Sequence, residues 1–163
     1  ELALWFGAVA RPGIHRAALV VRGGETNELT APADSPDEPV RELGAFVHEP
    51  DGSVIRARLV GEVARAQNAG MLSAGIAYST GDDAAPSPFS TTFRVREVLP
   101  FETKALARAL RERGVGILEI KKRGVDIDPA RLRIALKLRG PESATLILTR
   151  VGERRTALLV DRV

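Results

Sequence analysis

The spacing of apolar residues is most regular in the last third of the chain. Thr91 to Val98 reads as a strand that ends at Leu99-Pro100. From about Thr103 to Arg113, Leu106, Ala107 and Leu110 line one side of a helix, and Gly114 stops it. Gly116 to Lys122 returns to a strand. Asp128 then caps a second helix, with Pro129 in its first turn where proline is tolerated, and this helix runs to about Leu138. Ser143 to Val151 and Thr156 to Arg162 pair as a hairpin across Gly152-Glu153.

The first half is less regular. Glu1 to Gly7 and Ile14 to Arg22 read as strands joined by the Arg11-Pro12-Gly13 turn, and Gly23-Gly24 breaks the chain after them. Residues 31–42 hold three prolines and four acids, which reads as a solvated loop and a candidate for mobility. Gly44 to His48 is a short strand. A helix follows from about Val54 to Gln67, capped by Asp51 or Ser53, with Ile55, Leu59 and Val63 on its buried face. Another strand lies around Gly75 to Ser79, and the loop Gly81 to Pro88 follows it. Together these elements predict an α+β fold: mixed β-sheets with about three helices packed on them. The division falls after that loop. Residues 1–90 form a β-rich accessory segment with one helix, and residues 91–163 a basic α/β module.

Composition narrows the chemistry. The 163 residues include no cysteine and only two histidines, His15 and His48. Disulfides, thiolate metal sites and thiol nucleophiles are thereby excluded, and a multi-histidine metal site is disfavoured. With 4% aromatic residues the core must be aliphatic, and Trp5 is expected inside it. No run approaches the ~18 apolar residues of a membrane span, and no signal peptide is visible, so no membrane role and a cytoplasmic setting are the expectations. The chain opens without Met inside an apparent strand, which suggests a piece of a longer protein.

Net charge is +3, but residues 1–90 carry 7 Lys/Arg against 12 Asp/Glu, and residues 91–163 carry 17 against 9. A basic half joined to an acidic half points to an anionic partner. On the helix from Thr103, Lys104, Arg108 and Arg111 form one stripe. Lys121-Lys122-Arg123-Gly124 sets successive cations before a glycine turn, a pattern able to grip phosphate through side chains and amides. Arg150, Arg154 and Arg155 mark the hairpin. Lys104, Arg108, Arg111, Lys121, Lys122, Arg123, Arg150 and Arg154 are the candidate phosphate contacts. Arg56, close to the buried stripe of its helix, needs a carboxylate, so Glu49, Asp51 and Arg56 are expected to form a structural ion pair. His48 beside Glu49 and Asp51 could serve acid–base chemistry only if the three lined one pocket. Gly114-Val115-Gly116 and Gly23-Gly24 lack the strand, turn, helix order of a nucleotide loop and read as turns.

Val98-Leu99-Pro100-Phe101-Glu102-Thr103-Lys104, Ile120-Lys121-Lys122-Arg123-Gly124 and Leu146-Ile147-Leu148-Thr149-Arg150 resemble the THUMP-like C-terminal domain of bacterial class I S-adenosylmethionine-dependent methyltransferases. His48-Glu49-Pro50-Asp51 with Val54-Ile55-Arg56-Ala57, and the opening Leu2-Ala3-Leu4-Trp5, resemble segments further upstream in the same family. The resemblance implies that a Rossmann-like methyltransferase domain before residue 1 holds S-adenosylmethionine and the catalytic residues, that no cofactor sits in this chain, and that the chain is not catalytic by itself. True THUMP domains help RNA-modifying enzymes capture structured RNA. By analogy the expected role is substrate docking, with tRNA or rRNA as partner. The alternative is a structural or interaction module that packs on the methyltransferase domain or mediates dimerisation, with a non-RNA substrate. The two differ in whether the cations converge on one exposed face or scatter into pairs with Glu102, Glu112, Glu119 and Glu142.

Overall fold

A computed structural model describes residues 2–163; Glu1, the first residue of the expected opening strand, lies outside them. Leu2 to Phe6 form no regular element, and Gly7–Val9 is a single 3₁₀ turn. Trp5 is not in the core: 71% of its surface is exposed.

Strand β1 (Arg16–Arg22) pairs with a strand the apolar pattern did not indicate, β2 (Glu25–Ala31), in an antiparallel ribbon. Gly23-Gly24 is the turn between them, with φ of +61° and +83°. Two consecutive positive φ values define the hairpin turn whose twist matches that of the strands, and only glycine takes both at no steric cost. β2 escaped notice because Glu-Thr-Asn-Glu-Leu-Thr carries little apolar surface.

β3 (Phe46–Pro50) leads into α1 (Gly52–Arg56) and α2 (Val60–Ala66), which replace the single helix expected over residues 54–67. The break is at Arg58, whose φ is +58°. The acidic loop causes it. The Ser35 amide donates to the Arg58 carbonyl at 2.9 Å, Asp34 takes the Arg58 guanidinium at 2.9 Å, and Gly61 lies so close to Pro36 that a Cβ there would stand 1.9 Å from its carbonyl oxygen. That loop is tethered at further points. Arg65 pairs with Glu38 at 2.8 Å and Arg41 with Asp82 at 2.9 Å, while Met71 and Pro39 share a backbone hydrogen bond of 3.0 Å.

The remaining elements are β4 (Gly70–Met71), β5 (Ser79–Gly81), β6 (Ser90–Leu99), α3 (Thr103–Glu112), β7 (Val115–Lys122), α4 (Pro129–Leu136), β8 (Glu142–Val151) and β9 (Arg154–Arg162). Seven strands form one mixed sheet in the order β4-β5-β3-β6-β9-β8-β7, with β7 and β8 parallel. The fold is α+β. Helices α3 and α4 cover one face, setting Leu106, Leu110, Leu132 and Leu136 on Leu118, Leu146, Leu148 and Leu159. On the other face Val47, Phe93, Ile147, Leu158 and Val160 pack against Leu72, Ile76 and Tyr78. A third core joins α1 and α2 to Ala18 and Met71.

The sheet runs through residue 90. β3 pairs with β6 from Phe46↔Arg94 to Pro50↔Ser90, and Phe93 is fully buried among residues from both halves. It also curls strongly. β3 and β7 are four strand spacings apart, roughly 19 Å across a flat sheet, yet Lys121 Nζ of β7 reaches Glu49 Oε2 of β3 at 2.8 Å. No helix among the described residues is long and apolar enough to cross a membrane.

A candidate anion-binding surface at one end of the sheet

The topology gathers chain ends. Parallel pairing of β7 and β8 sets Lys122 beside Leu148, the β8–β9 hairpin sets Arg150 beside Arg155, and β6 ends with Leu99 beside Ala157. The ends of β6, β7 and β8, the start of β9 and the first turns of α3 and α4 therefore meet at one end of the sheet. The Arg155 guanidinium lies 5.3 Å from the Phe101 ring centroid, next to the first turn of α3. Lys104, Lys121, Lys122, Arg123, Arg150 and Arg154 all fall here, joined by Arg155, which the choice of contacts from sequence had left out. The two acids that open the helices face the backbone. Glu102 accepts from the Lys104 and Ala105 amides at 3.0 and 2.9 Å, and Asp128 from the Ala130 amide at 2.8 Å. Those amide bonds hold the Glu102 carboxyl below its usual range. Beside this end an open cleft of about 680 Å³ is lined by Leu43, Val98, Val151, Glu153 and Arg154 among others.

The cations here differ in freedom. Lys121 is only 20% exposed, donates to Glu49 at 2.8 Å, and stands 5.5 Å from the Phe93 ring centroid. Tyr78 donates to the other Glu49 oxygen at 3.2 Å, and burial pushes its phenol well up, so it stays a donor. Lys121 thus closes the curled sheet and is poorly placed to meet a ligand. Arg123 sits 5.2 Å over the Tyr78 ring. Arg150 has one acid nearby, Glu153 at 3.9 Å, itself 89% exposed. Lys104, Lys122, Arg154 and Arg155 are exposed and form no salt bridge among the described residues.

The rest of the α3 stripe points elsewhere. Arg111 donates to the Leu136 carbonyl at 2.7 Å and so caps the end of α4, and Arg108 stands 4.0 Å from Glu112 in the same helix. The ion pair expected among Glu49, Asp51 and Arg56 does not form. Glu49 is taken by Lys121 and Tyr78, Asp51 caps α1 by accepting from the Ser53 amide at 2.8 Å, and Arg56 is exposed over Gly52. The helix break at Arg58 removed the geometry that put Arg56 near the core. His48, Glu49 and Asp51 line no common pocket. His48 is fully buried, with Nδ1 3.0 Å from Thr92 Oγ1 and 3.2 Å from Gln67 Nε2. The Gln67 amide donates, so the imidazole proton belongs on Nε2, and burial holds the ring pKa below its usual value.

Neither glycine-rich segment fits a nucleotide cofactor. Gly23-Gly24 is a hairpin turn, and Gly116 packs so tightly on Gly140 that a Cβ would stand 1.7 Å from its carbonyl oxygen. These residues do not fit S-adenosylmethionine. No cluster of metal-ligating side chains occurs among the described residues.

Residues 90–162 match the model of the THUMP domain-like family. Two curated proteins of Mycobacterium tuberculosis, from strains CDC 1551 and H37Rv, are each 37% identical over 153 residues; each is described as an uncharacterised S-adenosylmethionine-dependent methyltransferase. The match covers 93% of this chain but only 41% of theirs. A crystal structure of a candidate methyltransferase from Porphyromonas gingivalis W83 shares the fold, with a TM-score of 0.68 and 23% identity over 88% of this chain and 36% of that one. The chain is thus similar to a part of proteins described as S-adenosylmethionine-dependent methyltransferases and spans well under half the length of these relatives.

Proposed function

We propose that this chain is the substrate-docking region of a S-adenosylmethionine-dependent methyltransferase and that the cationic end of its sheet holds the phosphate backbone of an RNA, tRNA or rRNA. The observation that carries this reading is convergence: Lys104, Lys122, Arg123, Arg150, Arg154 and Arg155 share one end, where Glu102 and Asp128 are turned to helix N-termini and Glu153 stands 3.9 Å from Arg150. Such a surface recognises phosphates by charge and leaves base identity unread. Cofactor and chemistry then belong to the remainder of a longer protein. Titration of a labelled tRNA and of rRNA fragments tests it: binding should fall steeply between about 50 and 200 mM salt. No binding at the lower salt would overturn it.

A second reading has its own observation. Leu2, Leu4, Trp5 and Phe6 are 69–79% exposed, and Leu19 and Val21 face outward from the β1–β2 ribbon. An apolar surface of this kind suits packing on another domain or subunit. Sedimentation of the chain distinguishes a self-associating face from one that needs a different partner.

A further inference from the structure

Among the described residues four buried side-chain polar atoms have no partner, and three of them lie together. Besides His48 Nε2, they are Arg123 Nε, Thr149 Oγ1 and Arg150 Nε. The last three lie together at the end of β7 and β8, where the Arg123 amide donates to the Leu148 carbonyl at 3.0 Å. Folded proteins rarely leave buried donors unpaired, and such groups concentrate at ligand sites. The backbone repeats the pattern. Among the described residues no protein group accepts from the amides of Gly124 or Val125. Gly124 has φ of +72°, and a Cβ there would stand 2.1 Å from Ile76 Cδ1 and 3.8 Å from Arg150 Nε. Only glycine permits this turn, which packs on Ile76 and passes beside Arg150.

We propose that the turn after β7 is a cradle for a single phosphate group, formed by the guanidinium ends of Arg123 and Arg150 and the amides of Gly124 and Val125. This rests on the docking reading and names the point where the anion is gripped. Arg123 is held over the Tyr78 ring and the Nε of Arg150 is buried beside the turn, so both planar forks are anchored at their base before the ligand arrives. That rigidity suits two-pronged contact with phosphate oxygens, which a flexible lysine does not provide. Successive free amides at a turn with positive φ complete an anion-binding concavity. Lys121 is outside the cradle, being held by Glu49.

The phosphate can come from an RNA backbone or from a small phosphoester, and the test separates them. The chain is titrated with inorganic pyrophosphate, followed by ³¹P resonance shifts, and with a labelled single-stranded RNA. The comparison is wild type, R123Q/R150Q, and the charge-matched K137Q/R139Q at the opposite end of the sheet; thermal melts confirm that each is folded. R123K/R150K keeps both charges and loses the forks. Expected are saturable pyrophosphate shifts abolished by R123Q/R150Q, RNA binding weakened about tenfold or more by R123Q/R150Q and less than about threefold by K137Q/R139Q, and only partial rescue by R123K/R150K. If RNA binds with salt-sensitive affinity but pyrophosphate gives no saturable shift and R123Q/R150Q weakens RNA binding less than about threefold, the cradle is wrong and the docking reading stands on the other cations of the sheet end. Should pyrophosphate bind through Arg123 and Arg150 while RNA fails to bind at low salt, the cradle stands and the docking reading falls. Full rescue by lysine would overturn the claim that fork geometry matters.

Discussion

Residues 1–90 and 91–163 both pair cations with acids, but they differ in how many cations are left over. In the first half most cations are spent locally: Arg11 on Glu28, Arg16 and Arg58 on Asp34, Arg41 on Asp82, Arg65 on Glu38 and Glu62. These pairs staple the acidic loop and the β1–β2 ribbon to α1 and α2. In the second half two acids near the cationic end bind helix amides instead, as Glu102 and Asp128 do, and cations are left over. Net charge therefore says little about a binding surface until each partner is known. The acidic half is cross-linked by its charges, and the basic half is left with an unneutralised end.

The sharpest way to break this contrast is to show that the halves are independent bodies. The sheet crossing residue 90 predicts otherwise. Phe93→Ala should destabilise the whole chain by about 3–5 kcal/mol, in one cooperative urea transition followed by circular dichroism. Two transitions, one of them unshifted, would mean that the halves unfold separately.

Next in size is the difference between neighbouring lysines. Lys121→Ala leaves Glu49 half-buried without its cation and should cost about 1–3 kcal/mol of stability, with RNA affinity changed less than by Lys122→Ala. Lys122→Ala should be nearly silent in stability, within about 0.5 kcal/mol, and should lower the salt dependence of RNA binding by about one phosphate's share. The reverse ranking in affinity would show that Lys121 is the ligand contact.

A smaller effect concerns pH. Burial lowers the pKa of folded His48 from an ordinary 6.5. The unfolded chain then takes up a proton that the folded one refuses. Stability is complete above about pH 6.5 and declines as pH falls below it, before the carboxylates of Asp34 and Glu28 begin to titrate. Melting temperature measured from pH 8 to pH 5 should show that decline, and His48→Gln should flatten it. The smallest effect is expected at Arg56: it is exposed and unpaired among the described residues, so Arg56→Ala should alter the melting temperature by no more than about 2 °C.

Much of the second half was legible in the sequence because its signals are local. Asp128-Pro129 states a cap, Gly114 states a stop, and the leucines of α3 recur at helical spacing. The elements that escaped depend on distant residues. β2 is defined by the Gly23-Gly24 turn and its pairing with β1, and the break at Arg58 by Ser35 and Pro36 of a loop more than twenty residues earlier. The candidate surface divides in the same way. The cations could be read directly, but that Lys121 is withdrawn depends on Glu49, 72 residues away. That Arg111 is a helix cap and Arg155 belongs to the surface depends on how α3 packs. Cation identity is a property of sequence; cation availability is a property of the fold.

The central claim is that the sheet end, and no other cationic stretch, is where an anionic polymer docks. It is tested most directly by two charge-matched triple reversals in one RNA titration at about 50 mM salt: K122E/R123E/R150E at the sheet end, and R108E/K137E/R139E on the helix layer away from it. The sheet-end triple should weaken binding by about a hundredfold and the helix-layer triple by less than about tenfold. Equal losses, or a larger loss from the helix layer, would contradict the account.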